Sequence, residues 1–195
     1  MAAGYDASGA LVVVDVQNDF ADPGGSLYVR DGERTVRRID EEIDAARSAG
    51  SSVVYTQDWH PPDTPHFAKD GGIWPVHCVR DSWGAAFHPD LLIDGDVVRK
   101  GEDGGDGYSG FSVRDLGSGE TSSTILAELL RRRGVRQLVV VGLATDYCVV
   151  ETVLDGRGLG FEVTVLREAI RAVDLEPGDG ERSIERMAAS GATIV

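Results

Sequence analysis

Two short stretches of this chain are almost purely aliphatic: Ala10–Val16, broken only by Asp15, and Gln137–Leu143. Such runs are too short to cross a bilayer, and their lack of polar alternation calls for strands covered on both faces. Between them lie segments of helical period. Residues 35–49 put Val36, Ile39, Ile43 and Ala46 on one face with charges opposite, and Gly50 stops the pattern. Residues 122–133, with Ile125, Leu126, Leu129 and Leu130, and residues 146–157, with Val149, Val150, Val153 and Leu154, repeat it. Further strands fit 52–57, 96–99, 162–166 and 192–195, and a closing helix fits 181–190. Strands alternating with helices predict an α/β fold, a three-layer sandwich whose central, mostly parallel six-stranded sheet carries helices on both faces.

The 195 residues show no repeat and no linker, so one domain over 1–195 is expected, with a loose start over residues 1–9. Residues 58–95 are irregular and rich in Pro, Gly, His and Trp, long for a plain connection and typical of functional loops. A net charge of −14, from 33 acidic and 19 basic side chains, argues against nucleic-acid and anionic-membrane partners. Two cysteines, Cys78 and Cys148, cannot make a disulfide scaffold, and free thiols fit a cytoplasmic location. No segment reads as an export signal or a membrane span.

Open parallel sheets bind ligands beyond the carboxyl ends of their strands. Asp15 ends the first strand there, Asp58 follows the second, Lys100 follows the third, and the segment to Cys148 follows the fourth. Cys148 sits near the start of a helix, where partial positive charge and free N–H groups favour a thiolate. A free cysteine is also a common core residue, and position alone leaves both readings open. A carboxylate closing an aliphatic run is costly to bury without a partner or a task, although Asp also caps turns. A lone Lys is usually solvated. Together the three make a coherent device, with Asp15 as acceptor of the thiol proton and Lys100 favouring both anions.

Three of the four histidines fall between residues 60 and 77. Asp58, His60, His66 and His77 make a ligand set suited to a divalent transition metal. Cys78 is read as packing and His88 as a structural loop residue.

These residues carry a family resemblance along nearly the whole chain. In order stand Val14-Asp15-Val16-Gln17-Asn18-Asp19-Phe20, Gly24-Gly25-Ser26-Leu27, Asp58-x-His60 with His66, Trp74-Pro75-Val76-His77-Cys78, Lys100-Gly101, Tyr108-Ser109-Gly110-Phe111 and Gly142-Leu143-Ala144-Thr145-Asp146-Tyr147-Cys148-Val149. The chain resembles the nicotinamidases of the isochorismatase-like hydrolase superfamily. The resemblance implies a catalytic triad of Asp15, Lys100 and Cys148, and one divalent metal (zinc, iron or manganese) held by Asp58, His60, His66 and His77. It implies an oxyanion hole from the N–H groups of Ala144 and Cys148, with a cis peptide before Ala144. Phe20, Trp74, Tyr108, Ala144 and Tyr147 would line the substrate pocket, Tyr147 standing where some members have His. The implied reaction cleaves nicotinamide, and also pyrazinamide, through a Cys148 thioester.

Two other readings are weighed against it. One is another hydrolase of the superfamily, such as an isochorismatase or an N-carbamoyl amidase; isochorismatases proper do not need the metal set. A non-catalytic metal- or nicotinamide-binding module would have no use for the triad. The acidic, glycine-rich 102–107 segment suggests a lid, and the polar 117–124 run a loose loop. A monomer or a small homo-oligomer suits either reading.

Overall fold

The computed structural model describes residues 4–195; residues 1–3 lie outside the described part. Along the chain come β1 (Gly9–Val14), α1 (Asn18–Ala21), α2 (Glu33–Ser48), β2 (Ser52–Asp58), β3 (Asp96–Lys100), β4 (Ser112–Arg114), β5 (Thr121–Ser123), α3 (Leu126–Arg132), β6 (Gln137–Leu143), α4 (Val150–Gly158), β7 (Glu162–Arg171), α5 (Asp179–Ala189) and β8 (Thr193–Ile194). The described residues form a six-stranded sheet in the order β3-β2-β1-β6-β7-β8. Every pairing within it is parallel, more uniform than the mostly parallel sheet expected.

The aliphatic runs become central strands because helices cover both faces. Alternate side chains of β1 enter separate cores, as the two-residue period requires. Ala10, Val12 and Val14 pack with Leu126 and Leu130 of α3, Val153 of α4 and Met187 of α5. Leu11 and Val13 pack with Val36, Ile39 and Ile43 of α2. Gly50, at φ +76°, ends α2 as expected.

The structure corrects several boundaries. The helix expected from residue 122 begins at Leu126. Ser122 and Ser123 instead pair with Val113 and Ser112 in the β4–β5 hairpin, so the 117–124 run is not simply a loose loop. Thr124 donates its hydroxyl to the Gly110 carbonyl at 2.6 Å and its N–H to the Phe111 carbonyl at 2.9 Å. The helix expected over 146–157 opens as a π-helical turn, Thr145–Val149, before α4. β7 runs to Arg171 because pairing resumes past an irregularity, with Gly142 opposite Ile170 and Leu143 opposite Arg171. The start expected to be loose is tied down from Asp6, whose carbonyl accepts Gly9 N–H at 3.0 Å and whose carboxylate accepts Ser8 N–H at 2.7 Å.

Four contiguous strands, β3-β2-β1-β6, end side by side, with order reversing around β1. Register places Asp58 directly beside Lys100, and Val14 beside both Thr56 and Gly142. Asp15 therefore leaves the sheet one residue past that row, at φ +48°.

Gly142 is the tightest point of this edge. Its φ is +114°, and a Cβ there would lie 2.1 Å from the Val14 carbonyl oxygen. Gly142→Ala is expected to cost about 3 kcal/mol or more, a loss of roughly 6–12 °C in Tm for a domain of this size. Gly158→Ala, at a helical position with open space around the added methyl, is the control and should leave Tm unchanged or raised. Thermal denaturation of both variants checks this.

Candidate active site

Lys100 is the centre of the site. Its ammonium is buried, forms an ion pair with Asp58, lies 2.8 Å from Asp15 Oδ2 and donates to Cys148 Sγ at 3.7 Å. Thr56 donates its hydroxyl to Asp15 Oδ1 at 2.7 Å, fixing that carboxylate from β2. Donor atoms of Asp15, Asp58 and Cys148 lie within 4.8 Å of one another. The four strand-end positions expected to converge do so.

Burial governs the protonation of this group. It pushes the Cys148 thiol well above its usual range, against the pull of Lys100. Cys148 sits within a π-helical turn rather than at a plain helix start. Burial also raises the Asp15 carboxyl, with Lys100 opposing. For Asp58, burial is outweighed chiefly by the Lys100 ammonium, which holds the carboxyl below its usual range. Burial works against the Lys100 ammonium, but Asp15 and Asp58 keep its pKa well above normal.

Beside this cluster three buried imidazoles meet. The His60 and His66 rings stack with centroids 4.4 Å apart, and His77 meets both at 5.1–5.2 Å, all resting on buried Phe67. The long loop brings them together through two small ladders. His60 N–H donates to the Cys78 carbonyl, and Ala68 N–H to the Trp74 carbonyl. His60 Nε2 stands 3.9 Å from Asp58 Oδ2.

The donor set fits a divalent cation. His77 Nδ1 lies 2.8 Å from the Pro75 carbonyl, so that nitrogen carries the hydrogen. His66 Nδ1 lies 3.1 Å from the Asp106 carboxylate. The Nε2 atoms of His66 and His77 lie 3.4 Å apart, so both can turn toward one shared cation. Burial lowers the His77 pKa and brings His60 down to about 4, so these rings are neutral, as ligands must be.

A cavity of about 290 Å³ opens onto both clusters. Phe20, Trp74, Tyr108, Ala144, Tyr147 and Cys148 line it, as do His60, His66, His77 and Asp58. Trp74 Nε1 donates to the Tyr108 hydroxyl at 3.2 Å, and Tyr147 meets Trp74 and Tyr108 edge-on. Lys100 and Asp15 lie behind this surface. The Leu143–Ala144 peptide is cis, and the Ala144 carbonyl accepts the N–H groups of Tyr147 and Val149.

Several supporting residues went unassigned in the sequence reading. Gln17 brackets Asp58, its Nε2 donating to the Asp58 carbonyl at 2.7 Å and its Oε1 accepting the Asp58 N–H at 2.8 Å. Asp19 accepts the N–H groups of Cys78 at 2.7 Å and Ser26 at 3.0 Å, orienting the strand of loop that carries His77. Asp106 falls in the 102–107 segment. That segment is anchored by Thr64, whose hydroxyl donates to the Gly104 carbonyl, and by the exchange of backbone bonds between Asp106 and Arg114. Cys78 packs in the core, as read.

An isochorismatase domain model matches residues 9–195. The chain belongs to the isochorismatase family. The nicotinamidase of Escherichia coli strain K12 is 39% identical over 203 residues, spanning 95% of this chain and 93% of that protein. Among solved structures, this family member is similar to the pyrazinamidase of Pyrococcus horikoshii in complex with zinc, with TM-score 0.86, 39% identity, and 96% and 98% of the two chains covered. It is also similar to PnC1 of L. infantum in complex with nicotinate, with TM-score 0.87, 34% identity, and coverage of 100% and 96%.

Removing the Lys100 charge would leave two buried carboxylates unpaired. Lys100→Met is expected to lower stability by roughly 3–5 kcal/mol, read as a lower urea midpoint. Adding Asp15→Asn should restore part of that loss.

Proposed function

We propose that this protein is a cysteine-dependent amidohydrolase that converts nicotinamide to nicotinic acid and ammonia, and accepts pyrazinamide by the same route. One observation carries the reading: the Asp15–Lys100–Cys148 cluster and the convergent imidazoles open onto one cavity with aromatic walls. The relatives named for nicotinamide or pyrazinamide hydrolysis support it. The imidazole set also favours it over an isochorismatase.

Burial raises the Cys148 thiol, so attack calls for a base. Asp15, raised by burial, takes the Cys148 proton as sulfur bonds to the amide carbon. Lys100 holds the carboxylate in place and offsets the charge that develops around sulfur. The N–H groups of Ala144 and Cys148 are assigned to the oxyanion. The C–N bond breaks as Asp15 returns its proton to the leaving amine, and ammonia departs. Water then loses a proton to Asp15 and attacks the thioester. The S–C bond breaks, nicotinic acid leaves, and the thiolate recovers its proton from Asp15.

Asp58, His60, His66 and His77 would hold a divalent metal (zinc, iron or manganese), which supplies a Lewis acid for the lone pair of the pyridine nitrogen. Trp74, Tyr108 and Phe20 flank the ring, and Tyr147 closes the side next to the nucleophile. Orientation of this kind is worth several kcal/mol when the reacting atoms are held in contact. The domain match over 9–195 supports one domain, and the two free thiols fit a reducing cytoplasm. Among the described residues no helix is long and apolar enough to cross a membrane.

Purified protein should release ammonia from nicotinamide. Cys148→Ala is expected to lower kcat by on the order of 10⁴-fold or more with an unchanged thermal melt, and Asp15→Asn to lower it by roughly 10²–10⁴-fold with a lower melt, since Lys100 loses a buried partner. Full activity in Cys148→Ala would remove the assignment. His60→Ala should lower metal content by elemental analysis and raise KM for nicotinamide. Unchanged metal content would count against the ligand set.

A further inference from the structure

The cavity has an outer wall that the chemistry above does not use. Between β7 and α5, residues 172–178 bring Val173 and Leu175 to the cavity lining. Leu175 is 69% exposed, so it stands at the mouth rather than in the core. The wall's near end is held by one side chain from the nucleophile's own turn. Asp146, two residues before Cys148, accepts the N–H of Val173 on Oδ1 at 3.0 Å and the N–H of Asp174 on Oδ2 at 2.8 Å.

The far end of the wall is fixed as well. Asp174 takes a left-handed φ of +53°, and its Oδ1 accepts the N–H of Gly180, in the first turn of α5, at 2.8 Å. α5 sits so close that a Cβ at Gly180 would lie 2.6 Å from Ala172 Cβ. Glu176 N–H donates to the Asp179 carboxylate at 2.9 Å. The span is thus tied to α5 at one end and to the Cys148 turn at the other, and the Asp146 grip sets how far Leu175 stands from the sulfur.

We propose that Asp146 is a positioning residue and Leu175 a specificity-determining residue. Together they fix which ring-substituted aromatic carboxamides the site accepts. A ring anchored with its amide over Cys148 directs part of its edge toward the mouth, and an alkyl group there meets Leu175. This rests on the amidohydrolase reading and adds to it a selection against alkyl groups on the ring. A pocket wall that adds or removes a small apolar group discriminates by about 10–200-fold.

The test compares kcat/KM for nicotinamide, 5-methylnicotinamide and 6-methylnicotinamide in the metal-loaded wild type and in Leu175→Ala. For at least one methyl isomer, the ratio to nicotinamide should rise by about 5-fold or more in the variant. In Asp146→Ala, KM for nicotinamide should rise by about 5-fold while kcat changes less than about 3-fold, consistent with lost positioning rather than lost chemistry. Asp146→Asn, which keeps one accepting oxygen, should show a smaller rise. Ratios unchanged within twofold for both isomers in Leu175→Ala overturn the proposal. So does a fall in kcat at constant KM in Asp146→Ala, which would make Asp146 a support for the nucleophile alone. If Asp146→Ala does not fold, the Leu175→Ala ratios decide. A wild type inactive on nicotinamide overturns the functional reading and this inference with it; an active wild type with unchanged ratios overturns the wall alone.

Discussion

The ammonium of Lys100, buried between the carboxylates of Asp15 and Asp58, is the interaction on which the rest of this structure depends. Removing three charges from water is expensive, and the arrangement holds only where geometry lets each find a partner. The sheet supplies that geometry. Parallel pairing sets Asp58 beside Lys100, and Asp15 leaves β1 one strand further in. Lys100 comes from the edge strand β3, so its side chain ties the sheet's margin to its centre. Its Nζ reaches groups just past β1, at the end of β2 and in the turn after β6.

Asp58 belongs to both halves of the site. One oxygen pairs with Lys100 while the other stands 3.9 Å from His60 Nε2. A cation among the imidazoles and a proton moving near Cys148 would therefore be felt through one carboxylate. Gln17 clamps the Asp58 backbone on both sides, which limits how far that carboxylate can shift in serving either partner. The bracket explains why a polar side chain is fully buried immediately after the first strand.

The sheet and its order of elements were legible because aliphatic runs and helical periods are local signals. The strand-end residues were legible for a related reason: a charged side chain closing an aliphatic run stands out against its neighbours. Gln17, Asp19, Asp106 and Asp146 act differently. Gln17 and Asp19 hold backbone groups 41 and 59 residues away, and Asp146 holds Val173 at a separation of 27. No periodicity encodes such contacts. The 122–125 segment was misread because its helical apolar spacing competes with bonds from Thr124 to Gly110 and Phe111, which propensity cannot foresee. The surroundings of Cys148 were only half legible, because a helix start favours charge while the burial that raises the thiol is a property of the finished fold.

The site divides its labour between two kinds of chain. Its ionic groups sit on strand ends, buried and cross-linked, where any displacement separates charges that have no access to water. Its walls sit on loops held by backbone hydrogen bonds to single carboxylates: Asp19 for the segment bearing His77, Asp146 for the segment bearing Leu175. Side chains on those loops can change without disturbing the ion cluster, provided the carboxylate that holds the backbone remains. Leu175, exposed at the mouth, has few neighbours to disturb, whereas Lys100 cannot be replaced without stranding two acids. On the proposed reading, reaction type is built into the sheet, and the choice among related amides into the rim.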